Sequence, residues 1–249
     1  MIILKSEEEI EKMSRACFIV GKTLDYLRDK IRPGITTGEI DKIADEYIRS
    51  WNAIPAFKGY RGYPASICAS VNNEVIHGIP SGRILEEGDI LGVDLGVLKD
   101  GFYGDAAYTF PVGKIEPSVE RLLRVTEEAL YIGIDKARNG NRLSDISYAI
   151  QKHVEDNGYS VVRAFVGHGI GRDLHEDPQV PNFGKPNRGP RLMPGMTLAI
   201  EPMVNEGGYE VVVLEDGWTA VTMDGKLSAH FEHTIVITND NPRILTQIN

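Results

Sequence analysis

The chain of 249 residues is 42 % hydrophobic and 25 % charged, the balance of a globular protein with a sizeable core, which excludes a disordered or fibrous chain. Its 36 acidic against 27 basic residues leave a net charge of −9 without any long Lys/Arg run, which argues against nucleic-acid recognition and leaves room for cations bound among carboxylates. Two cysteines, Cys17 and Cys68, are too few for a disulfide framework, and neither a secretory signal nor an apolar stretch of about 18 residues occurs; a soluble, cytoplasmic protein without membrane contact is expected.

Ser6-Glu7-Glu8-Glu9 offers a capping box, and Ile10, Met13, Cys17, Val20, Leu24 and Leu27 follow at helical spacing, which predicts a helix from about Glu7 to Lys30. Arg32-Pro33-Gly34 ends it, and a second helix begins at Thr37 and runs through Ile43 and Tyr47. Between Pro64 and Thr109 the pattern turns to short β-rich runs at Ser66–Val71, Ile90–Leu98 and Phe102–Phe110. Helical spacing returns at Val119–Ala137 and Ser144–Val154. Strands are then expected at Val161–Val166, Thr197–Val204, Glu210–Leu214, Thr219–Met223 and His230–Ile237.

The order helix, helix, strands thus occurs twice, and two segments suggest a duplication. Arg32–Ile40 matches Arg138–Ile146 at an offset of 106, and Leu85–Asp94 matches Leu192–Glu201 at an offset of 107. Asp94 and Glu201 thereby fall at equivalent places. Two α+β halves, about 1–112 and 113–249, are expected to pack about a pseudo-twofold axis in one catalytic domain, with acids of both meeting near the axis.

Asp94 and Asp105 lie on two apolar strands joined around Asp100-Gly101. A two-residue hairpin loop sets Asp94 opposite Ala107 and puts both carboxylates on one face; a three-residue loop throws them onto opposite faces. Asp94 lies in Ile90–Leu98, which is apolar on both alternating faces, and Glu201 in Leu198–Val204 and Glu232 in Ala229–Ile237 repeat the situation. Buried anions cost several kcal/mol each unless compensated. With no Lys or Arg in these strand cores, protonation or metal ions remain. His168, in the Gly-rich turn Val166–Gly171, adds an imidazole, and such a donor set suits a pair of ions such as Mn, Fe, Co or Zn. His77 and His175 read either as surface-turn histidines or as acids, bases or oxyanion stabilisers.

Asp94, Asp105, His168, Glu201 and Glu232, with Gly-His-Gly-Ile-Gly at 167–171 and Asp-Gly-Phe-Tyr-Gly-Asp at 100–105, resemble the type I methionine aminopeptidases of the pita-bread metallopeptidase superfamily, over essentially the whole chain. The resemblance implies the pita-bread fold, with helices outside an antiparallel sheet, and two divalent metal ions. Asp94 would chelate one ion, His168 and Glu201 the other, and Asp105 and Glu232 would bridge them. A metal-bridging hydroxide would attack the first peptide carbonyl, Glu201 passing its proton onward while His77 and His175 steady the intermediate and the scissile amide. Phe57, Tyr60, Tyr63, Cys68 and Trp218 would join His77 and His175 around the methionine of the substrate; Tyr63 and Cys68 read equally well as ordinary core. The family often has Cys at Phe57 and Phe at Leu174. The resemblance further implies the N-terminal methionine of nascent peptides as substrate, a small residue after it, ribosome association, a monomeric enzyme, and a monovalent cation near Asn72, Glu74 and Ser228. An X-prolyl peptidase and a non-catalytic binding protein on the same fold are the competing expectations.

Overall fold

The computed structural model describes residues 1–247. Its first half runs α1 (Glu7–Arg28), α2 (Thr37–Ser50), β1 (Ile54–Pro55), a 3-10 turn at Tyr60–Gly62, β2 (Cys68–Val71), β3 (Glu74–Ile76), β4 (Ile90–Lys99) and β5 (Phe102–Pro111). The second runs α3 (Pro117–Lys136), α4 (Leu143–Asp156), β6 (Ser160–Val161), β7 (Gly167–Gly169), β8 (Glu176–Val180), β9 (Thr197–Ile200), β10 (Met203–Asn205), β11 (Val211–Val213), β12 (Ala220–Thr222), β13 (Ser228–His230), β14 (His233–Val236) and β15 (Arg243–Ile244).

Local chemistry accounts for the helix starts. Ser6 and Glu9 exchange side-chain and backbone hydrogen bonds in the expected capping box, and Thr36 with Glu39 does the same for α2. Both helices lie outside an antiparallel sheet in which β4 is flanked by β1, β2 and β5. Asp100 (φ 52°) and Gly101 (φ 77°) close the β4–β5 hairpin as a two-residue loop, so Lys99 pairs with Phe102, Asp94 with Ala107 and Gly96 with Asp105. Asp94 and Asp105 are therefore diagonal neighbours on one face.

The pseudo-twofold relation is visible in backbone hydrogen bonds. Gly34 (φ 90°) donates to Leu85 O at 2.8 Å, and Gly140 (φ 88°) donates to Leu192 O at 2.9 Å. Isolated bridges join Thr36 to Ile84 and Arg142 to Arg191. Gly88 (φ 93°) donates to Val112 O and Gly195 (φ 87°) to Ile237 O, each at 3.0 Å. The left-handed backbone at these turns explains the glycines that carried the sequence match. Each half has a core of its own, one around Leu27, Ile40, Leu91 and Phe110, the other around Leu130, Ile146, Leu198 and Ile235.

The second half is more broken than its strand pattern predicts. The run Val161–Val166 forms a strand only at Ser160–Val161, because Ala164, Phe165 and Val166 leave the sheet to wall a cavity. Thr197–Val204 is interrupted at Glu201-Pro202, where proline has no N–H to give a ladder, and His230–Ile237 is interrupted at Phe231-Glu232. Glu201 and Glu232 thus sit just past the paired ends of β9 and β14, one step beyond the last pair, His233 with Ile200. The halves meet along a seam in which threonine hydroxyls stand in for ladder bonds. Thr234 Oγ1 accepts from Asp105 N (3.1 Å) and donates to Asp105 O (2.7 Å), and Thr109 makes the corresponding pair with His230 (2.9 and 2.7 Å). Between them Glu232 N donates to Ala107 O at 2.9 Å. No helix among the described residues is long and apolar enough to cross a membrane.

Candidate metal centre

The seam delivers Glu232 to the face of β5 that carries Asp105, while β7 and β9 bring the remaining groups. His168 pairs with Ala199 across β7 and β9, so Glu201, two residues on, is its diagonal neighbour, the arrangement that Asp94 and Asp105 have in the first half. His168 Nε2 lies 3.6 Å from Glu201 Oε1 and 3.9 Å from Asp105 Oδ2. Asp105, His168 and Glu232 each offer a ligand atom within 4.8 Å of the others, and all three are buried. All five residues line one cavity of about 270 Å³.

Their electrostatics is that of acids crowded together away from water. Burial pushes Asp94 up to about 7 and drives Asp105, Glu201 and Glu232 well above the usual carboxylate range, with the neighbouring acids adding to the effect on those three. Burial also lowers His168 to about 3, the nearby His175 contributing, so the imidazole is neutral and its Nε2 lone pair free, while Nδ1 lies 2.9 Å from Gly169 O and fixes the tautomer. Asp94 Oδ1, Asp105 Oδ1 and Glu232 Oε1 are buried and meet no hydrogen-bond donor among the described residues. Arg61 is the one basic side chain among the described residues on the cavity lining, and it is solvent-exposed. Orphaned carboxylate oxygens beside a neutral imidazole fit divalent ions of borderline-to-hard character.

The other sequence-predicted residues surround this floor. Phe57, Tyr60, Tyr63, Cys68, His77, His175 and Trp218 all line the same cavity. Cys68 is the direct cross-strand partner of Asp94. Trp218 stands edge-on to Tyr63 (5.1 Å between centroids) and to His77 (6.3 Å). Tyr60 OH and His175 Nδ1 are 2.9 Å apart, and the His175 ring lies 4.2 Å from that of His168. His77 takes a left-handed backbone (φ 60°) and is lowered by burial to about 4. Asn72 O accepts from Ser228 N at 2.9 Å and Glu74 accepts from Val71 N at 2.7 Å, so these three residues are neighbours, and none of them lines the cavity.

Sequence reasoning missed Phe165, Ile76 and Arg61 on the cavity wall, and His230 behind it. His230 is 3 % exposed, its Nε2 meets no partner among the described residues and lies 3.8 Å from Glu201 Oε2, and burial lowers it to about 3. Its signal was a polar ring in the apolar run that also supplies Glu232.

A duplicated α+β scaffold with acids of both halves converging under an aromatic pocket defines a pita-bread metallohydrolase. The profile of metallopeptidase family M24 matches residues 11–239. The methionine aminopeptidase of Clostridium perfringens is 60 % identical over 248 residues, and methionine aminopeptidase 1 of Bacillus subtilis is 54 % identical; in both comparisons each chain is covered in full. The crystal structure of methionine aminopeptidase from Thermotoga maritima superposes with a TM-score of 0.98 at 50 % identity, again covering both chains in full. The prolidase of Pyrococcus horikoshii shares the fold at a TM-score of 0.80 but is 23 % identical, and 65 % of its chain is covered. The chain belongs to metallopeptidase family M24, within its methionine aminopeptidases.

Proposed function

We propose that this chain removes the initiator methionine from newly made polypeptides, with a small residue following the methionine, by hydrolysis at a dinuclear metal centre. The observation that carries the reading is the convergence of Asp94, Asp105, His168, Glu201 and Glu232, orphaned oxygens among them, on the floor of a pocket with thioether-compatible walls. Residues 1–249 act as one catalytic unit whose halves divide at about 112.

In this reading Asp94 would hold one ion, His168 and Glu201 the other, and Asp105 and Glu232 would serve both. When bound, the ions supply a water of lowered pKa as nucleophile and polarise the peptide carbonyl. Phe57, Tyr60, Tyr63, Cys68 and Trp218 receive the methionine side chain and exclude water around it. His77 and His175 are both held below the usual histidine range, His77 mainly by burial and secondarily by His175, and His175 mainly by burial and secondarily by Arg61. As neutral imidazoles they donate hydrogen bonds where negative charge develops. Glu201, between the two imidazoles of His168 and His230, carries the proton from the nucleophile to the leaving amine.

The same reading takes Co, Mn, Fe or Zn as the divalent ion, a monovalent cation near Asn72, Glu74 and Ser228, and a cytoplasmic monomer that meets its substrate at the ribosome. The test is product identity. Metal-loaded protein is incubated with Met-Ala-Ser and with an Ala-Pro peptide; free methionine from the first and no release from the second is expected. Release of alanine from the second would replace this reading with an X-prolyl peptidase.

A further inference from the structure

The side chain of Lys5 is 3 % exposed and forms an ion pair with Glu176, which is 6 % exposed and 171 residues away in the chain. Replacing such a pair with apolar side chains is often neutral or stabilising, whereas breaking it by removing one partner is strongly destabilising, so its presence points to what it orients rather than to what it stabilises. Glu176 uses its other oxygen, Oε1, to accept from Arg172 N (2.8 Å) and Asp173 N (3.3 Å). The same turn is tightened by Gly171 N donating to Asp173 O (3.1 Å) and docked on the first half by Tyr103 N donating to Gly171 O (2.8 Å). A Cβ at Gly171 would collide with Lys5 and Glu176, so the turn is closed down onto the ion pair.

That turn ends in His175. His175 is solvent-exposed, and the hydroxyl of Tyr60 is its one side-chain hydrogen-bond partner among the described residues. Its aim at the site is therefore set by the backbone beneath it. Lys5 is anchored independently, through its N–H to Gly195 O at 2.8 Å, and the N-terminal ammonium of Met1 pairs with Asp177 on the far side of the turn.

We propose that Lys5 is a positioning residue for His175: through Glu176, the N-terminal strap braces the turn that aims this imidazole at the reacting amide. The proposal rests on the reading that His175 touches the substrate.

The test uses the full chain, with kcat and KM for Met-Ala-Ser measured on metal-loaded protein and the His175 ring signals recorded by 15N NMR on metal-free protein. Lys5→Met is expected to lower kcat between about 10- and 100-fold, as for a catalytic group displaced by about 1 Å, with KM within about threefold. In the double variant Lys5→Met/Glu176→Gln most of the loss is expected to return, because the amide oxygen still accepts from Arg172 and Asp173 and no lone charge stays buried. In a His175→Ala background Lys5→Met should cost nothing further. The ring signals of His175 should move in Lys5→Met and return in the double variant. Wild-type kcat in folded Lys5→Met, no recovery in the double variant, additive losses with His175→Ala, or unmoved ring signals would each overturn the proposal. Unchanged kcat in His175→Ala alone would instead retire the catalytic role of His175, and the ring signals would then decide by themselves whether Lys5 positions it.

Discussion

Asp105 is 4 % exposed, its Oδ1 accepts no hydrogen bond among the described residues, and Asp94 and Glu201 add their charges to its surroundings. A residue so placed works against folding unless a cation compensates it. Asp105→Asn should therefore stabilise the metal-free protein at pH 8 by about 1–3 kcal/mol, read from the urea midpoint, while abolishing metal-dependent release of methionine. A destabilised metal-free variant would mean that the acids are compensated in some other way. His77 leads to a pH prediction of the opposite sense to that of a buried acid. Its folded pKa is lowered to about 4 from 6.5, so the unfolded chain binds the extra proton. The contribution of His77 to stability is complete above about pH 6.5 and is lost as pH falls through about 4, and its ring signals should titrate near 4 by NMR. Titration near 6.5 would remove the case for a neutral donor. At this scale much was legible. An acid inside an apolar run is unusual enough to be read directly, as at Asp94, Glu201 and Glu232, whereas His230 resembles any core histidine until its distance to Glu201 is known.

Among the elements, the docking of α1 on β5 turns on Gly104. A Cβ there would lie 2.7 Å from Cys17 N and 2.8 Å from Cys17 Cα, which is helix backbone and has no rotamer by which to yield. Gly104→Ala should cost about 2–3 kcal/mol in urea unfolding and loosen the strand that carries Asp105. A neutral result would show that α1 floats on the sheet. Helix existence and starts were legible because caps and periodicity are local, as the Ser6 and Thr36 boxes illustrate. Strand ends were not, because they depend on partners. β9 and β14 stop at Glu201 and Glu232, beyond which the same two segments pair again as β10 and β13 in another sheet, and no propensity in Leu198–Val204 marks that point except Pro202.

Taken whole, the molecule consists of two cores joined by a threonine-mediated seam, with the acids astride it. Under the proposed function, ions held by ligands from both halves would act as a clamp between them. At free metal about 100 times its Kd, binding adds about 2.7 kcal/mol, and for a chain of this size the Tm should rise by about 5–10 °C, measurable by calorimetry against a chelator-treated sample. A Tm indifferent to metal would contradict a site shared across the seam. The sequence by itself determined the two α+β halves, the helix starts, the acids and imidazole that converge on one cavity, and the family, because each is written in local patterning or in spacing that the two halves repeat. Only the tertiary structure decided the two-residue loop that puts Asp94 and Asp105 on one face, the strand breaks that free Glu201 and Glu232, the place of His230, and the bracing of His175 by Lys5. Those depend on contacts between residues up to 171 positions apart. Periodicity reports what surrounds a residue along the chain, but which distant residue meets it is settled by the packing of one half against the other.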